Sequence, residues 1–219
     1  MPVVPSLTCK FCYHGNVDED ANKTTIDAYE NGLEQYNAAA VTTVSGDVKD
    51  WVDASLAMLS PGSRILEIGS AHGRDALYME SKGFEVDRTD AAKSFVKYMH
   101  DQGHDARLLN VLTDDLGGPY DMVFANAVLL HFNVGQTKAV LKKIKNALEP
   151  RGLITFSVKI GEGSEWSNAK LKDARFYTYW QEQPLRELLE SVGFAIKYFE
   201  QGQTGHNNSG WFHVIARKT

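Results

Sequence analysis

Cysteine is nearly absent, no long apolar run occurs and positive charge is in deficit, and each shortage removes a class of function. Among 219 residues the only cysteines are Cys9 and Cys12. They are spaced C-x-x-C, which is half of a tetrahedral zinc site; His14 raises the set only to three ligands, and no second pair follows. No metal is expected. A thioredoxin-like pair would follow a strand and open a helix, whereas this one sits amid Pro2, Pro5 and Gly15. Residues 1–22 therefore read as a poorly ordered tail carrying two reduced thiols. No stretch approaches the roughly 18 apolar residues of a membrane span, so no membrane partner is expected. The formal net charge of −5 and pI near 5.8 argue against broad nucleic-acid binding, which needs a basic face to neutralise phosphates. The N-terminus lacks a cationic segment followed by an apolar stretch and a small-residue cleavage site, which makes cytoplasm the expectation.

What is present fits one soluble domain over residues 23–219. The hydrophobic fraction is 43% and the charged fraction 23%, both ordinary for a globular chain. In T-T-I-D-A-Y-E-N-G-L-E-Q-Y, Ile26, Tyr29, Leu33 and Tyr36 recur at helical spacing. A second amphipathic helix is predicted over 47–58, with Val48, Trp51, Val52, Leu56 and Leu59 on its apolar face and Pro61-Gly62 as its stop. Residues 23–60 thus read as a helical cap on a core formed by 61–219. Strands and helices then alternate: strand 64–68, helix 74–82, strand 84–88, helix 92–102, strands 105–109 and 120–125, helix 136–148 and strand 152–159. Helix 184–192 leads to strands 194–200 and 211–217, which can pair antiparallel across a Gly/Asn-rich loop. The series predicts an α/β, Rossmann-like, doubly wound and mostly parallel seven-stranded sheet with an antiparallel last strand. Its ligand crevice would lie beyond the strands' carboxyl ends, with the polar insertion 161–170 hanging over it.

The stretch R-I-L-E-I-G-S-A-H-G, residues 64–73, is the most informative in the chain. Gly69 permits a tight reversal, and the small Ser70, Ala71 and Gly73 let backbone N–H groups approach a ligand. A dinucleotide turn would read G-x-G-x-x-G, but Ala71 and Arg74 stand at its second and third glycine positions, so the fingerprint of an NAD-linked oxidoreductase is not met. Glu67, two residues before the turn, suits a ligand with a cationic amine. S-adenosylmethionine is such a ligand.

With these motifs, residues 64–160 resemble the class I S-adenosylmethionine-dependent methyltransferases, in particular small bacterial members, and the resemblance extends from Thr25 to the C-terminus. It implies a cofactor loop of Glu67, Gly69, Ser70, Ala71 and Gly73, with Ala71 replacing the family's middle glycine. It further implies that Asp90, with Ala91 beside it, holds both ribose hydroxyls. Asn110 and Val111 take the adenine position, where many members carry an aspartate. Asn126 and Ala127 pass beneath the methionine part, and Tyr29 and Tyr36 cover the cofactor from the N-terminal helix. The bland alternative for those two tyrosines is a place in the core.

Methyl transfer from a sulfonium requires alignment of acceptor, methyl and sulfur more than acid–base chemistry. His131, Lys159, Arg175, Tyr177, Tyr179 and Trp180 follow the fourth and fifth strands and are expected to hold the acceptor. Arg175, Tyr177 and Tyr179 would share one strand face suited to an anion. The acceptor is expected to be a small molecule or peptide methylated at oxygen. A carboxylate needs no base, whereas a hydroxyl would make His131 the catalytic base and give a histidine-like pH profile. Alternatives are nitrogen or carbon methylation, an RNA or protein acceptor, and a non-catalytic cofactor sensor. The charges in A-V-L-K-K-I-K-N-A-L read as a solvated helix face, and oligomeric state is left open.

Overall fold

The computed structural model describes residues 18–203 and 210–219; Cys9, Cys12 and His14 lie outside the described residues, as does most of the expected tail. The first helix already begins at Asp18, ahead of the expected boundary, and what was read as one helix is two, α1 (Asp18–Asn31) and α2 (Leu33–Ala39). The break falls at Gly32, where a Cβ would stand 2.8 Å from the Ala28 carbonyl oxygen and 3.0 Å from the Leu171 side chain. Only glycine lets this helix end press so closely against its neighbour.

The core elements follow as α3 (Gly46–Leu56), β1 (Arg64–Ile68), α4 (Arg74–Ser81), β2 (Glu85–Asp90), α5 (Lys93–Asp101), β3 (Arg107–Leu108) and β4 (Tyr120–Ala125). Next come α6 (Val134–Ala147), β5 (Leu148–Lys159), β6 (Ser164–Ser167), β7 (Arg175–Thr178), α7 (Glu182–Val192), β8 (Phe194–Gln203) and β9 (Gly210–Lys218). Seven strands form one sheet in the order β3-β2-β1-β4-β5-β9-β8. All its pairings are parallel except those of β9, which runs antiparallel to both β5 and β8. The order reverses at β1 and β4, so a crevice opens at their carboxyl ends.

Strand alternation sorts the core into two layers. Ile65, Met122, Phe124, Leu153 and Ile215 face one side and pack with Trp51, Val52 and Leu56 of α3 and Met79 of α4. Leu66, Val123, Ile154, Phe156 and Val214 face the other, beneath Val140, Leu141 and Ile144 of α6 and Leu185 and Leu189 of α7. Trp51 is fully buried, 5.1 Å from the Phe124 ring and stacked on His213 at 4.9 Å. This corrects the expectation that all of 23–60 forms a cap: α3 is a layer of the sheet, and only α1 and α2 lie near the crevice.

Two further details differ from the sequence reading. Helix α6 starts two residues early because Asn133 and Gln136 form a capping box, each side chain bonding the other's backbone N–H. The 161–170 insertion is not plain loop, since β6 pairs antiparallel with β7 in a separate two-stranded sheet. Trp166 lies opposite Phe176 with ring centroids 5.6 Å apart, the kind of cross-strand aromatic pair that stabilises a short ribbon.

Candidate active site

The chain leaves β1 through a left-handed turn. Gly69 has φ +73, and a Cβ there would stand 2.6 Å from Val128 Cγ2, so both conformation and space require glycine. Ala71 takes φ +49, a conformation costing a non-glycine residue about 1 kcal/mol. Its N–H donates to Asp90 Oδ2 at 2.9 Å, and the Ala92 N–H donates to Oδ1 at 2.9 Å. These two bonds fix the Asp90 carboxyl at the end of β2 and leave each oxygen a lone pair for a further donor. Burial pushes its pKa up to about 6.

Glu67 lies at the end of β1, 2% exposed, and its Oε2 has no hydrogen-bond partner among the described residues. Burial, aided by the nearby Asp75 charge, raises its pKa to about 8. A cation beside it would restore the ionised form. Deeper in the turn, Asn126 Nδ2 donates to Asp75 Oδ2 at 2.8 Å, and the Ser157 hydroxyl donates to Asn126 Oδ1 at 2.7 Å. The Ala127 N–H closes the chain on Ser157 Oγ at 2.8 Å. The Asn126 side chain is thereby held between the first turn of α4 and β5.

Helices α1 and α2 bring aromatic rings to this crevice. Tyr29 and Tyr36 meet edge to face at 6.0 Å, Phe95 lies 5.1 Å from Tyr36, and His72 lies 6.0 Å from Tyr36. Polar ties hold the helix there: Glu30 Oε2 accepts from the Ser94 N–H, Asn22 Oδ1 accepts from Asn110 Nδ2, and Thr25 Oγ1 accepts from the Phe176 N–H. Asn110 Oδ1 accepts from the Leu112 N–H at 3.1 Å, so this amide is already engaged on both sides.

At the far end, a short 3₁₀ turn, Leu129–His131, presents His131. Its Nδ1 lies 2.7 Å from the Phe176 carbonyl oxygen, which can only accept, so Nδ1 carries the proton and Nε2 the lone pair. The Tyr29 hydroxyl, 2.9 Å from Nε2, donates to it and itself accepts from Arg175 Nη1 at 3.1 Å. Burial, with the Arg175 and Lys159 charges beside it, pushes the His131 pKa down to about 3. The ring therefore stays neutral at any ordinary pH, which removes the expected titration near 6.5. Arg175 is buried between the Tyr29 and Tyr177 rings, 5.2 and 5.3 Å from their centroids. Lys159 Nζ sits over Tyr177 at 4.6 Å, and burial with the nearby Lys170 and Arg175 charges lowers its pKa.

The model of the family described as "Methyltransferase domain" matches residues 41–198. The chain belongs to this family. Solved structures agree on the fold. A 1,6-didemethyltoxoflavin N1-methyltransferase of Burkholderia thailandensis, solved with its substrate and S-adenosylhomocysteine, has 21% identity and a TM-score of 0.71, covering 100% of this chain and 94% of that one. An S-adenosylmethionine-dependent methyltransferase of Methanosarcina mazei has 18% identity and a TM-score of 0.66, over 73% and 94% of the two chains. TehB of Haemophilus influenzae has 17% identity and a TM-score of 0.62, over 85% and 65%. No curated protein matches the sequence.

S-adenosylmethionine is the cofactor of this methyltransferase, and the crevice suits it: Glu67 offers an orphaned carboxyl oxygen for the ammonium, and Asp90 offers two oxygens for the ribose. The methyltransferase brings Tyr29, His131, Arg175, Tyr177 and Lys159 together as one cluster. Tyr179 sits at its edge, with its hydroxyl donating outward to Glu165 Oε1 at 2.6 Å. Trp180 is buried in the apolar layer on α6 and α7. His72, Asp75 and Phe95 were missed by sequence reasoning. Phe95 had a legible signal, five residues after Asp90 on the next helix; Asp75 is a first-turn acid like many others, and its partner Asn126 lies 51 residues away.

Proposed function

We propose that this methyltransferase methylates an oxygen atom of a small molecule or peptide, with Glu67, Asp90 and the 69–73 turn holding S-adenosylmethionine and His131, Tyr29, Arg175 and Lys159 holding the acceptor. The cofactor supplies an electrophilic methyl group on a sulfonium. When bound, it would supply that methyl group to the acceptor oxygen, the S–CH3 bonding pair leaving on sulfur. Asp90 orients the donor through the ribose, and Glu67, ionised once an ammonium lies beside it, fixes the methionine end. Tyr29 and Tyr36, on α1 and α2, close over the crevice and exclude water, forming the lid of a domain whose core is α3 together with residues 61–219.

The observation that carries the oxygen reading is the neutral His131 with its lone pair directed at a hydroxyl position now taken by Tyr29, beside two cations. A hydroxyl acceptor replacing the Tyr29 oxygen would donate its hydrogen bond to Nε2, which takes the proton once the neighbouring Arg175 and Lys159 charges are offset by the bound acceptor. Tritiated-methyl transfer into a panel of hydroxyl and carboxylate compounds tests this, with ester products identified by their lability to base. Nitrogen-only methylation, or unchanged turnover in His131→Ala, would overturn it. A ring-nitrogen acceptor is the second reading, favoured by the aromatic walls and by the full-length likeness to the 1,6-didemethyltoxoflavin N1-methyltransferase.

A further inference from the structure

We propose that Arg175, assisted by Lys159, is a carboxylate anchor distinct from the methylated atom, so that the acceptor carries a carboxylate which is gripped and left unmethylated. This rests on reading the crevice as a methyl-transfer site. Arg175 is 2% exposed and forms no ion pair with a described residue. Buried arginines are nearly always paired, because an isolated charge in a low-dielectric interior is severely penalised. Only Nη1 is engaged, by Tyr29; Nε and Nη2 are buried and have no acceptor among the described residues. Those two N–H groups lie on the same edge of the guanidinium and point in parallel, which is the fork that matches the two oxygens of a carboxylate.

The surroundings reinforce this choice. The Tyr29 and Tyr177 rings hold the guanidinium plane at 5.2 and 5.3 Å, and Lys159 adds a second positive charge over Tyr177. A carboxylate seated here is not the methyl acceptor. Methylation would turn it into a neutral ester and strip the buried guanidinium of its partner as the bond formed, so the pairing would stabilise the substrate above the transition state. The reacting group therefore sits on the His131 side, one tyrosine oxygen away from the anchor. The anchored charge also offsets the repulsion of Arg175 and Lys159 on His131, making that ring more basic when the acceptor is bound.

The test uses the full chain saturated with S-adenosylhomocysteine and titrated with benzoate or benzamide, a pair differing in charge and little in shape. The readout is the Arg175 Nε–H proton resonance, assigned by its loss in Arg175→Lys and Arg175→Met. Benzoate is expected to shift it saturably and to bind at least about tenfold more tightly than benzamide, as a charge-assisted fork requires. In Arg175→Met, where that resonance is gone and benzoate and benzamide binding is followed by calorimetry, this preference should vanish, with the melting temperature unchanged or higher because no ion pair has been lost. An absent benzoate shift, equal binding of benzamide, or a fall in melting temperature beyond about 5 °C, the mark of a structural arginine, would overturn the anchor. Inorganic phosphate displacing benzoate at lower concentration would overturn the carboxylate assignment. Calorimetry with S-adenosylhomocysteine reads the cofactor crevice separately, so failure of the methyl-transfer reading appears there and not in the arginine resonance.

Discussion

The two ends of the crevice are electrostatic opposites. At the end proposed for the donor, Glu67 and Asp90 are buried with carboxyl pKa values of about 8 and about 6, and the buried Asp75 is paired with Arg74 at 2.7 Å. The acceptor end gathers Arg175 and Lys159 around a histidine kept neutral. Burial favours the neutral carboxyl at Glu67 and Asp90 and leaves Arg175 without an ion-pair partner among the described residues, and each would be relieved by a ligand of opposite sign. The donor is cationic at its amine and sulfonium; the complementary basic end is what an anionic acceptor requires. A net charge of −5 conceals this division because it sums over the whole chain and not over the cleft.

Separate substitution at each end is the strongest way to break the comparison. With an acceptor in hand, Arg175→Met is expected to lower kcat/KM about a hundredfold or more, the scale of removing one partner from a buried charged contact, while S-adenosylhomocysteine affinity stays within about twofold. Parallel losses in both quantities would show that the ends are not independent. Asp90→Ala should do the reverse, weakening S-adenosylhomocysteine by at least about 1.5 kcal/mol, or more than tenfold, as two ribose hydroxyls lose a charged acceptor. Unchanged calorimetric affinity in a folded Asp90→Ala protein would remove the ribose assignment.

Proton linkage sharpens the contrast. Glu67 and Asp90 have folded pKa values raised above the ordinary carboxyl range, so their contribution to stability is complete at low pH and is lost as pH rises through about 6 and about 8. A ligand that binds their ionised forms reverses this, so S-adenosylhomocysteine affinity should rise severalfold from pH 5.5 to 7.5, with Glu67→Gln flattening the upper part. Calorimetry in buffers of different ionisation enthalpy would detect the released protons; a flat profile in the wild type counts against both carboxylates.

Smaller effects are expected at the roof and the turn. Amides of residues 20–40 should gain hydrogen-exchange protection when S-adenosylhomocysteine binds, since Tyr29 and Tyr36 must move to admit it. Identical exchange would make α1 and α2 ordinary scaffold. Ala71→Gly relieves a left-handed alanine but loosens the unfolded chain, so its net effect on unfolding free energy should be within about 1 kcal/mol, measurable by urea titration.

By itself the sequence determined the sheet, because strand-length apolar runs alternate with helical periods and the core needs nothing more than that pattern to sort its two layers. It also made legible that Glu67, the glycine turn and Asp90 lie at adjacent strand ends, because β1 and β2 pair in parallel. The β6–β7 ribbon was not legible, since its pairing depends on Trp166 meeting Phe176 across a polar insertion. Nor was the state of His131. Its residue type promised an ordinary base, but its tautomer, its low pKa and its tyrosine partner come from Phe176, Arg175 and Tyr29, which lie up to 102 residues away. Desolvation and charge depend on which groups tertiary packing places side by side, and only the folded chain decided that.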